Sequence, residues 1–214
     1  MPAATPVDEG SVRGFLERPA GALRDGLVLT HGAGGDSRMS LLVAVAGAFA
    51  AAGVCVLRCD LPFRQRRPHG PPSPSTAAGD RAGLRDAVAA LRAIVPGRVF
   101  LGGQSYGGRQ ASMLAAEDPE LAAGLLLLSY PLHPPGKPER PRTEHFPALR
   151  APSLFVHGPR DPFATTDELR AALASIPAPV ELIEIADAGH DLGRGAFNVA
   201  GLVVEPFRKL TSEP

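Results

Sequence analysis

Residues 99–117 read VFLGGQSYGGRQASMLAAE, and this stretch decides the fold of the chain. Val99 to Gly102 predict a buried strand, and Arg109 to Glu117, rich in Ala, Leu and Met, predict a helix. Between them, Gly103 to Gly107 form a G-x-S-x-G pentapeptide, and a serine between a strand and a helix predicts a sharp turn that raises its hydroxyl. Glycine tolerates the backbone angles of such a turn. The pentapeptide alone leaves open a plain glycine-rich turn with Ser105 at the surface.

Strands and helices alternate on both sides of this turn. Near-continuous apolar strands between amphipathic helices predict an α/β fold, with a mostly parallel central sheet covered by helices on both faces. The opening strand carries Arg13 and Glu17, which favours an edge position and antiparallel pairing. We see no repeat and no linker, so we expect a single domain over 1–214 with its core at about 10–210. The predicted strands are 12–16, 27–30, 54–58, 99–102, 124–129, 154–156 and 180–185, and the predicted helices are 38–52, 77–95, 109–117, 166–175 and 197–210.

The composition argues against several classes of partner. The chain has 214 residues, is 44% hydrophobic and carries 22 acidic and 22 basic residues. A neutral chain has no electrostatic basis for nucleic acid or an anionic membrane as its main partner. No apolar run approaches the roughly 20 residues of a membrane span. The first residues lack a basic start and an apolar core, so no secretory signal is visible and we expect a cytoplasmic protein.

The two cysteines, Cys55 and Cys59, fall four residues apart in one predicted strand. Their Cα atoms should lie about 13 Å apart in an extended strand, whereas a disulfide needs less than about 7 Å. We therefore expect reduced thiols, in keeping with a cytosolic location. No further cysteine completes a metal-ligand set, so no metal site is predicted.

A serine hydroxyl becomes a good nucleophile only when a neighbouring base takes its proton. His190 follows the predicted strand that ends at Ile185, and Asp161 follows the one that ends at Val156. The carboxyl ends of parallel strands meet at one edge of the sheet, where such sheets place their ligand sites. The sequence therefore predicts Ser105 as nucleophile, His190 as general base and Asp161 as the acid that orients the imidazole.

Two other acids compete with Asp161 for the last role, namely Asp187 and Asp191. Asp191 adjoins His190, so its side chain points elsewhere in most backbone conformations. We rank Asp161 first and interpret Asp191 as a turn or cap residue.

Acyl transfer also needs amide donors for a negatively charged oxygen. One should be the amide of Tyr106, directly after the serine. The other should come from the glycine-rich loop 31–37, where Ala33 is our first choice and Gly34 the second, while His31 is predicted to brace the loop. This loop lacks the Lys-Ser/Thr of a phosphate-binding loop, so nucleotide binding is disfavoured and no cofactor is expected.

Further residues are candidates for the substrate pocket. His133 follows the strand that ends at Ser129, close enough to line a pocket. Arg64 belongs to an arginine-rich group in and before loop 60–76, which is interpreted either as a solvated loop or as an anion-attracting rim. The other members of that group are Arg58, Arg66 and Arg67.

These residues resemble the α/β-hydrolase superfamily, and within it the small, lidless, dienelactone-hydrolase-like enzymes. Residues 60–64 (DLPFR), 129–138 (SYPLHPPGKP) and 157–163 (HGPRDPF) are similar to a bacterial group of hydrolases. That group resembles the hydrolase-like domain of a subunit of an animal chromatin acetyltransferase complex. Only residues 130–153 separate two predicted strands where larger esterases insert a cap, so no cap domain is expected. Dienelactone hydrolase proper has a cysteine nucleophile where this chain has Ser105.

The resemblance implies the fold and the roles of Ser105, His190 and Asp161. From these residues we predict a serine hydrolase that cleaves a carboxylic ester or thioester through an acyl-enzyme, and the absence of a cap favours small or exposed acyl substrates. Two alternatives stay open at the level of sequence. One is a non-catalytic interaction module on the same fold, and the other is an acyltransferase that uses the same three residues. The sequence does not name the acyl group, the leaving group or the oligomeric state.

Overall fold

One eight-stranded sheet forms the centre of the computed structural model, which describes residues 4–195 and 197–212. The strand order is β1-β2-β4-β3-β5-β6-β7-β8. The strands are β1 Thr5–Glu9, β2 Val12–Glu17, β3 Gly26–Thr30, β4 Cys55–Cys59, β5 Val99–Gln104, β6 Leu125–Leu128, β7 Ser153–His157 and β8 Val180–Glu184.

Six of these strands, β3 to β8, run parallel, which confirms the predicted sheet type. Strand β2 is antiparallel to both β1 and β4, as predicted, but the predicted edge position is wrong, because β1 lies outside it. Strand β1 was not predicted, because its side chains are mostly exposed and it contains Pro6. Proline is tolerated at a sheet edge, where one row of backbone groups needs no partner.

Helices cover both faces of the sheet. Helices α1 and α6 pack on one face, and α3, α4 and α5 pack on the other. The interval between β6 and β7 holds only one 3₁₀ turn, Phe146–Ala148, among the described residues, so no cap domain is evident. The helices are α1 Ser40–Ala51, α2 Pro62–Arg66, α3 Ala77–Arg92, α4 Tyr106–Glu117, α5 Thr166–Leu173 and α6 Val199–Thr211.

The core is apolar at its most central strands, as expected for a sheet buried on both sides. Every residue of β3, β4, β5, β6 and β7 is buried. Within the described ranges, no helix combines the length and the apolar character needed to cross a bilayer.

Both cysteines are buried free thiols on β4, as predicted. Burial raises the pKa of Cys59 to about 12 and also raises the pKa of Cys55. Because the thiolate is the reactive form, neither cysteine has the character of a nucleophile.

Candidate active site

Ser105 lies on the turn between β5 and α4, with φ 51° and ψ −118°. Its amide donates to the Leu128 carbonyl at 2.8 Å, which ties the turn to the end of β6. A positive φ is unfavourable for a residue with a Cβ atom and is found where the surroundings hold the backbone in place. The turn therefore has the strained geometry that the pentapeptide predicted.

Two glycines allow the helix to approach the sheet closely at this turn. A Cβ atom on Gly107 would lie 2.4 Å from the carbonyl oxygen of His31, and one on Gly103 would lie 2.9 Å from that of Thr30. Any side chain at either position would push α4 away from the end of β3. The glycines thus hold Ser105 beside the loop that follows β3.

A chain of hydrogen bonds joins the three residues that the sequence singled out. Nε2 of His190 lies 2.8 Å from Oγ of Ser105, and Nδ1 of His190 lies 2.7 Å from Oδ2 of Asp161. The Asp161 carboxylate is buried. With the proton assigned to Nδ1, which faces the carboxylate, Nε2 is left free to accept the serine proton. These residues follow β5, β7 and β8, whose carboxyl ends share one edge of the sheet.

Asp161 and His190 are held by neighbouring groups. The second carboxylate oxygen, Oδ1, accepts the amide N–H of Phe163 at 2.8 Å. The Phe163 ring lies against the imidazole, with 4.3 Å between ring centroids. One short loop therefore supplies both the carboxylate partner of His190 and an aromatic wall beside it.

The competing acids have other partners. Asp187 is exposed and forms an ion pair with Arg160 at 2.5 Å. Asp191 accepts the amide of Gly193 at 3.0 Å, which is the turn role expected of it. It is Asp161 that the structure brings to the imidazole.

The residues of the predicted amide donors line cavities that include Ser105. Among the described residues, the amides of Ala33, Gly34 and Tyr106 have no acceptor in the protein. Gly32 brings the loop against the serine, because a Cβ atom there would lie 3.4 Å from that of Ser105. Free amides beside a hydroxyl form the arrangement that binds an oxyanion.

His31 braces this loop, as predicted. It is fully buried, and its Nε2 accepts the amide of Leu61 at 3.1 Å. Its Nδ1 lies 2.8 Å from the carbonyl oxygen of Gly32, where it donates. Burial lowers the pKa of His31, so the neutral ring that these two bonds require is favoured.

Arg64 also braces the loop, so it is neither the solvated residue nor the member of an anion-attracting rim that the sequence left open, whereas Arg66 and Arg67 are exposed. The side chain is buried, with Nη2 donating to the Ala33 carbonyl at 2.7 Å and Nε to that of Gly35 at 2.8 Å. It also donates to the carbonyls of Arg67 and Gly70. These bonds occupy the guanidinium, which lines neither cavity beside Ser105. The short helix α2, missed in the sequence, turns Arg64 inward.

Two other candidates for the pocket have structural roles. Arg58 forms a buried ion pair with Glu17, between β4 and β2. His133 is buried, with Nδ1 2.8 Å from the Pro134 carbonyl and Nε2 3.5 Å from Glu168. His133 lines neither cavity beside Ser105, so the structure does not place it with substrate.

Two cavities meet at Ser105. The base-side cavity has a volume of about 530 Å³ and includes His190. The helix-side cavity, of about 520 Å³, extends along α4 and does not include His190. The base-side cavity is lined by residues 32–35, Met39, Ser40, Leu41, Gln104, Ser105, Phe163, His190 and Asp191. The helix-side cavity is lined by Ala33, residues 71–74, Ala77, Ser105, Tyr106, Arg109, Gln110, Met113, Pro131, Arg142 and Phe163.

Sequence reasoning missed Arg109 and Arg142 as pocket residues. Arg109 carried a usable signal, since it lies four residues after Ser105 in a predicted helix and hence on the same helical face. Arg142 carried none, because it lies in a long loop whose path periodicity does not predict.

A mostly parallel sheet with a serine on a glycine-flanked strand-to-helix turn, and with a histidine and an acid after later strands, defines the α/β-hydrolase fold. A family model described as an alpha/beta hydrolase domain matches residues 24–196. The chain belongs to this family. The narrower resemblance to an animal complex subunit stays a prediction.

Solved structures with the same fold cover nearly the whole chain. A dienelactone hydrolase from Anabaena variabilis matches with a TM-score of 0.77 and 22% identity over 97% of each chain. The esterase Est1E from Butyrivibrio proteoclasticus, with ferulic acid bound, matches with a TM-score of 0.79 and 17% identity, covering 98% of this chain and 100% of its own. A serine hydrolase without lid from Xanthomonas campestris matches with a TM-score of 0.74 and 19% identity, over 99% of this chain and 96% of its own. At these identities the likeness shows the fold.

Proposed function

We propose that this protein is a serine hydrolase that cleaves carboxylic esters or thioesters through an acyl-enzyme. The observation that carries the proposal is the continuous hydrogen-bonded path from Ser105 through His190 to the buried Asp161. A hydroxyl within hydrogen-bond reach of a base, with that base oriented by a third group, is the arrangement that activates a serine.

In the first step, Oγ of Ser105 attacks the substrate carbonyl carbon while Nε2 of His190 takes the hydroxyl proton. The imidazolium that forms is stabilised by Asp161, 2.7 Å from Nδ1. The bond to the leaving group then breaks, and the imidazolium gives its proton to the departing oxygen or sulfur. The acyl group stays on Ser105 as an ester.

The negative charge of the tetrahedral intermediate develops on the former carbonyl oxygen. The amides of Ala33 and Tyr106, which lack protein acceptors among the described residues, are the donors assigned to it. Fixed donors need no reorganisation as the charge appears, which makes them effective in stabilising the transition state.

In the second step, a water molecule attacks the acyl-enzyme with His190 again as base. The water adds its oxygen to the acyl carbon, and Ser105 leaves with the proton that returns through the imidazole. The net reaction consumes one water and releases an acid and an alcohol or thiol. No step needs a group from outside this set of residues and the substrate.

The two cavities receive the two halves of the substrate. The leaving group must lie within reach of Nε2 of His190, because that atom protonates it. His190 lines the base-side cavity and not the helix-side cavity. We therefore assign the leaving group to the base-side cavity and the acyl group to the helix-side cavity.

A fluorophosphonate probe tests the proposal directly. The probe forms a covalent bond with an activated serine and leaves an unactivated one untouched, so we expect labelling at Ser105 in the folded protein. Digestion and mass spectrometry of the labelled peptide identify the site. Turnover of p-nitrophenyl acetate, followed by absorbance, measures hydrolysis in parallel.

Denatured protein and His190→Gln are the controls, because unfolding separates His190 from Ser105 and the substitution removes the imidazole. We expect neither to be labelled at a rate above background. A folded protein that shows neither labelling nor turnover would instead be a binding module on this fold.

Arg64 provides a test of the role of loop 31–37, here called the oxyanion loop because it carries the Ala33 amide. Replacement by Gln leaves the carbonyls of Ala33, Gly35 and Gly70 without their charged donor. We expect kcat for p-nitrophenyl acetate to fall about 10-fold, since outright loss of an oxyanion donor costs about 10²-fold or more. The measurement is steady-state kinetics at matched folded protein.

The exposed Arg66 lies on the same short helix, and Arg66→Gln serves as the matched control. We expect wild-type kcat from it. An Arg64→Gln variant that folds and keeps full kcat would show that the guanidinium does not position the loop.

A further inference from the structure

The helix-side cavity carries positive charge along helix α4. The amide of Arg109 donates to the carbonyl of Ser105 at 2.9 Å, so Arg109 lies one helical turn beyond the serine. Met113 lies one turn further and lines the same cavity. The wall that starts at Ser105 therefore includes a cationic side chain one helical turn further along α4.

The Arg109 guanidinium has no carboxylate partner among the described residues. Its Nε is buried and also lacks a hydrogen-bond partner there. Arginines on the neighbouring helix behave differently, since Arg81 pairs with Glu117 and Arg85 with Asp118. A buried donor without an acceptor costs free energy, so Arg109 is poised for an acceptor from outside the protein.

Arg142 adds a second cation to this cavity. Its Nη1 donates to the Pro131 carbonyl at 3.3 Å, and none of the described carboxylates pairs with it. Burial lowers the pKa of Arg142, and the nearby Arg109 cation lowers it further. Two like charges held together repel each other. An anion placed between them would relieve that repulsion.

Gln110 is a further polar residue in the lining of this cavity. Oε1 of Gln110 accepts from Arg81 at 3.0 Å, which assigns the other side-chain atom as Nε2. That nitrogen is buried and has no partner among the described residues. The remaining lining is largely apolar, with Met113, Phe163 and the prolines of residues 71–74. Such a cavity fits a short methylene chain with a carboxylate at its end.

We propose that the helix-side cavity selects an acyl chain that ends in a carboxylate, held by Arg109 and Arg142. The preferred substrates are then half-esters or half-thioesters of short dicarboxylic acids. Hydrolysis consumes one water and releases the dicarboxylate and the alcohol or thiol. This inference rests on the proposed function, because the cavity is assigned to the acyl group through the position of His190.

The test compares matched anionic and neutral esters. The monoethyl and diethyl esters of succinic, glutaric and adipic acids share their acyl chains and differ in the terminal charge. Initial rates of ethanol release give kcat/KM for each. For the best chain length we expect the wild-type half-ester to exceed its diester by at least about 10-fold, the effect of a charge-assisted hydrogen bond.

Arg109→Gln should lower the ratio of half-ester to diester kcat/KM by about 10- to 100-fold. Arg142→Gln should lower it in the same direction. Arg85→Gln, an exposed arginine paired with Asp118 outside the cavity, should leave the ratio unchanged. A wild-type ratio of half-ester to diester kcat/KM near one would refute carboxylate binding in the helix-side cavity. So would an Arg109→Gln variant that slows both esters equally.

A binding measurement separates this proposal from the proposed function. Free succinate, glutarate or adipate should slow fluorophosphonate labelling of Ser105 in the wild type and lose that effect in Arg109→Gln. Absent labelling and absent turnover refute the hydrolase itself. If Ser105 is labelled and no dicarboxylate slows the labelling, carboxylate binding in the helix-side cavity is refuted, whereas the proposed hydrolase function is not.

Discussion

Replacing Ser105 with alanine is expected to lower kcat for ester hydrolysis by at least about 10⁴-fold. The variant loses the only atom that forms the acyl-enzyme, while the amides of Ala33 and Tyr106 still bind the carbonyl oxygen. Alanine keeps the Cβ atom, so the cost of the positive φ at this turn is unchanged and the fold should persist. Steady-state kinetics with p-nitrophenyl acetate and circular dichroism measure the two outcomes.

The double variant Ser105→Ala/His190→Ala sharpens this prediction. Once the nucleophile is gone, the base has no serine proton to take, so the second substitution should cost little more. The exposed Ser175, whose hydroxyl donates to the Ala172 carbonyl, gives a matched alanine control at full activity. If the losses of the two single variants multiply in the double variant, the two side chains do not act as one unit.

Asp161→Asn should lower kcat by about 10⁴-fold without removing any atom from the path. Oδ1 of Asp161 accepts the amide of Phe163, so the asparagine oxygen is held there and its NH₂ group faces Nδ1 of His190. Nδ1 must then accept, which places the ring proton on Nε2, opposite Ser105. The imidazole in that tautomer cannot take the serine proton.

Asp187→Asn is the matched control, because Asp187 follows β8, the strand that leads to His190, but pairs with Arg160 at the surface. Steady-state kcat and the rate of fluorophosphonate labelling should both fall in Asp161→Asn and stay unchanged in Asp187→Asn. A fall confined to the Asp187 variant would show that the orienting acid was assigned to the wrong residue.

The predicted strands from β2 onward were all found, because the inner ones are short apolar runs bounded by a helix or a turn, while the outer ones, β2 and β8, mix apolar with charged residues. Predicting the site needed one further step. Parallel strands bring their carboxyl ends to one edge of the sheet, so residues after β5, β7 and β8 lie at the same edge, where their loops can bring them together. For that reason the meeting of Ser105, Asp161 and His190 could be predicted from their order along the chain.

The loops could not be predicted in the same way. Residues 60–76 read as a charged loop, yet they contain helix α2, which buries Arg64 under the oxyanion loop. A charged side chain is expected at the surface unless backbone carbonyl groups can accept its hydrogen bonds inside the protein. Here four backbone carbonyls accept from the guanidinium of Arg64, so it is buried. Arg142 reaches the cavity that Arg109 lines only through the path of residues 130–152. No periodic pattern in the sequence predicts that path.

The helix-side cavity takes one of its cations, Arg142, and its proline wall from segments that carry none of the three reacting side chains. Residues 71–74, Pro131 and Arg142 belong to connections between elements, whereas Ser105, Asp161 and His190 directly follow strands of the sheet. Surface connections tolerate substitution and changes of length far better than strand ends do. Under the proposed function, substitutions in those connections would change the preferred acyl group while leaving Ser105, Asp161 and His190 in place.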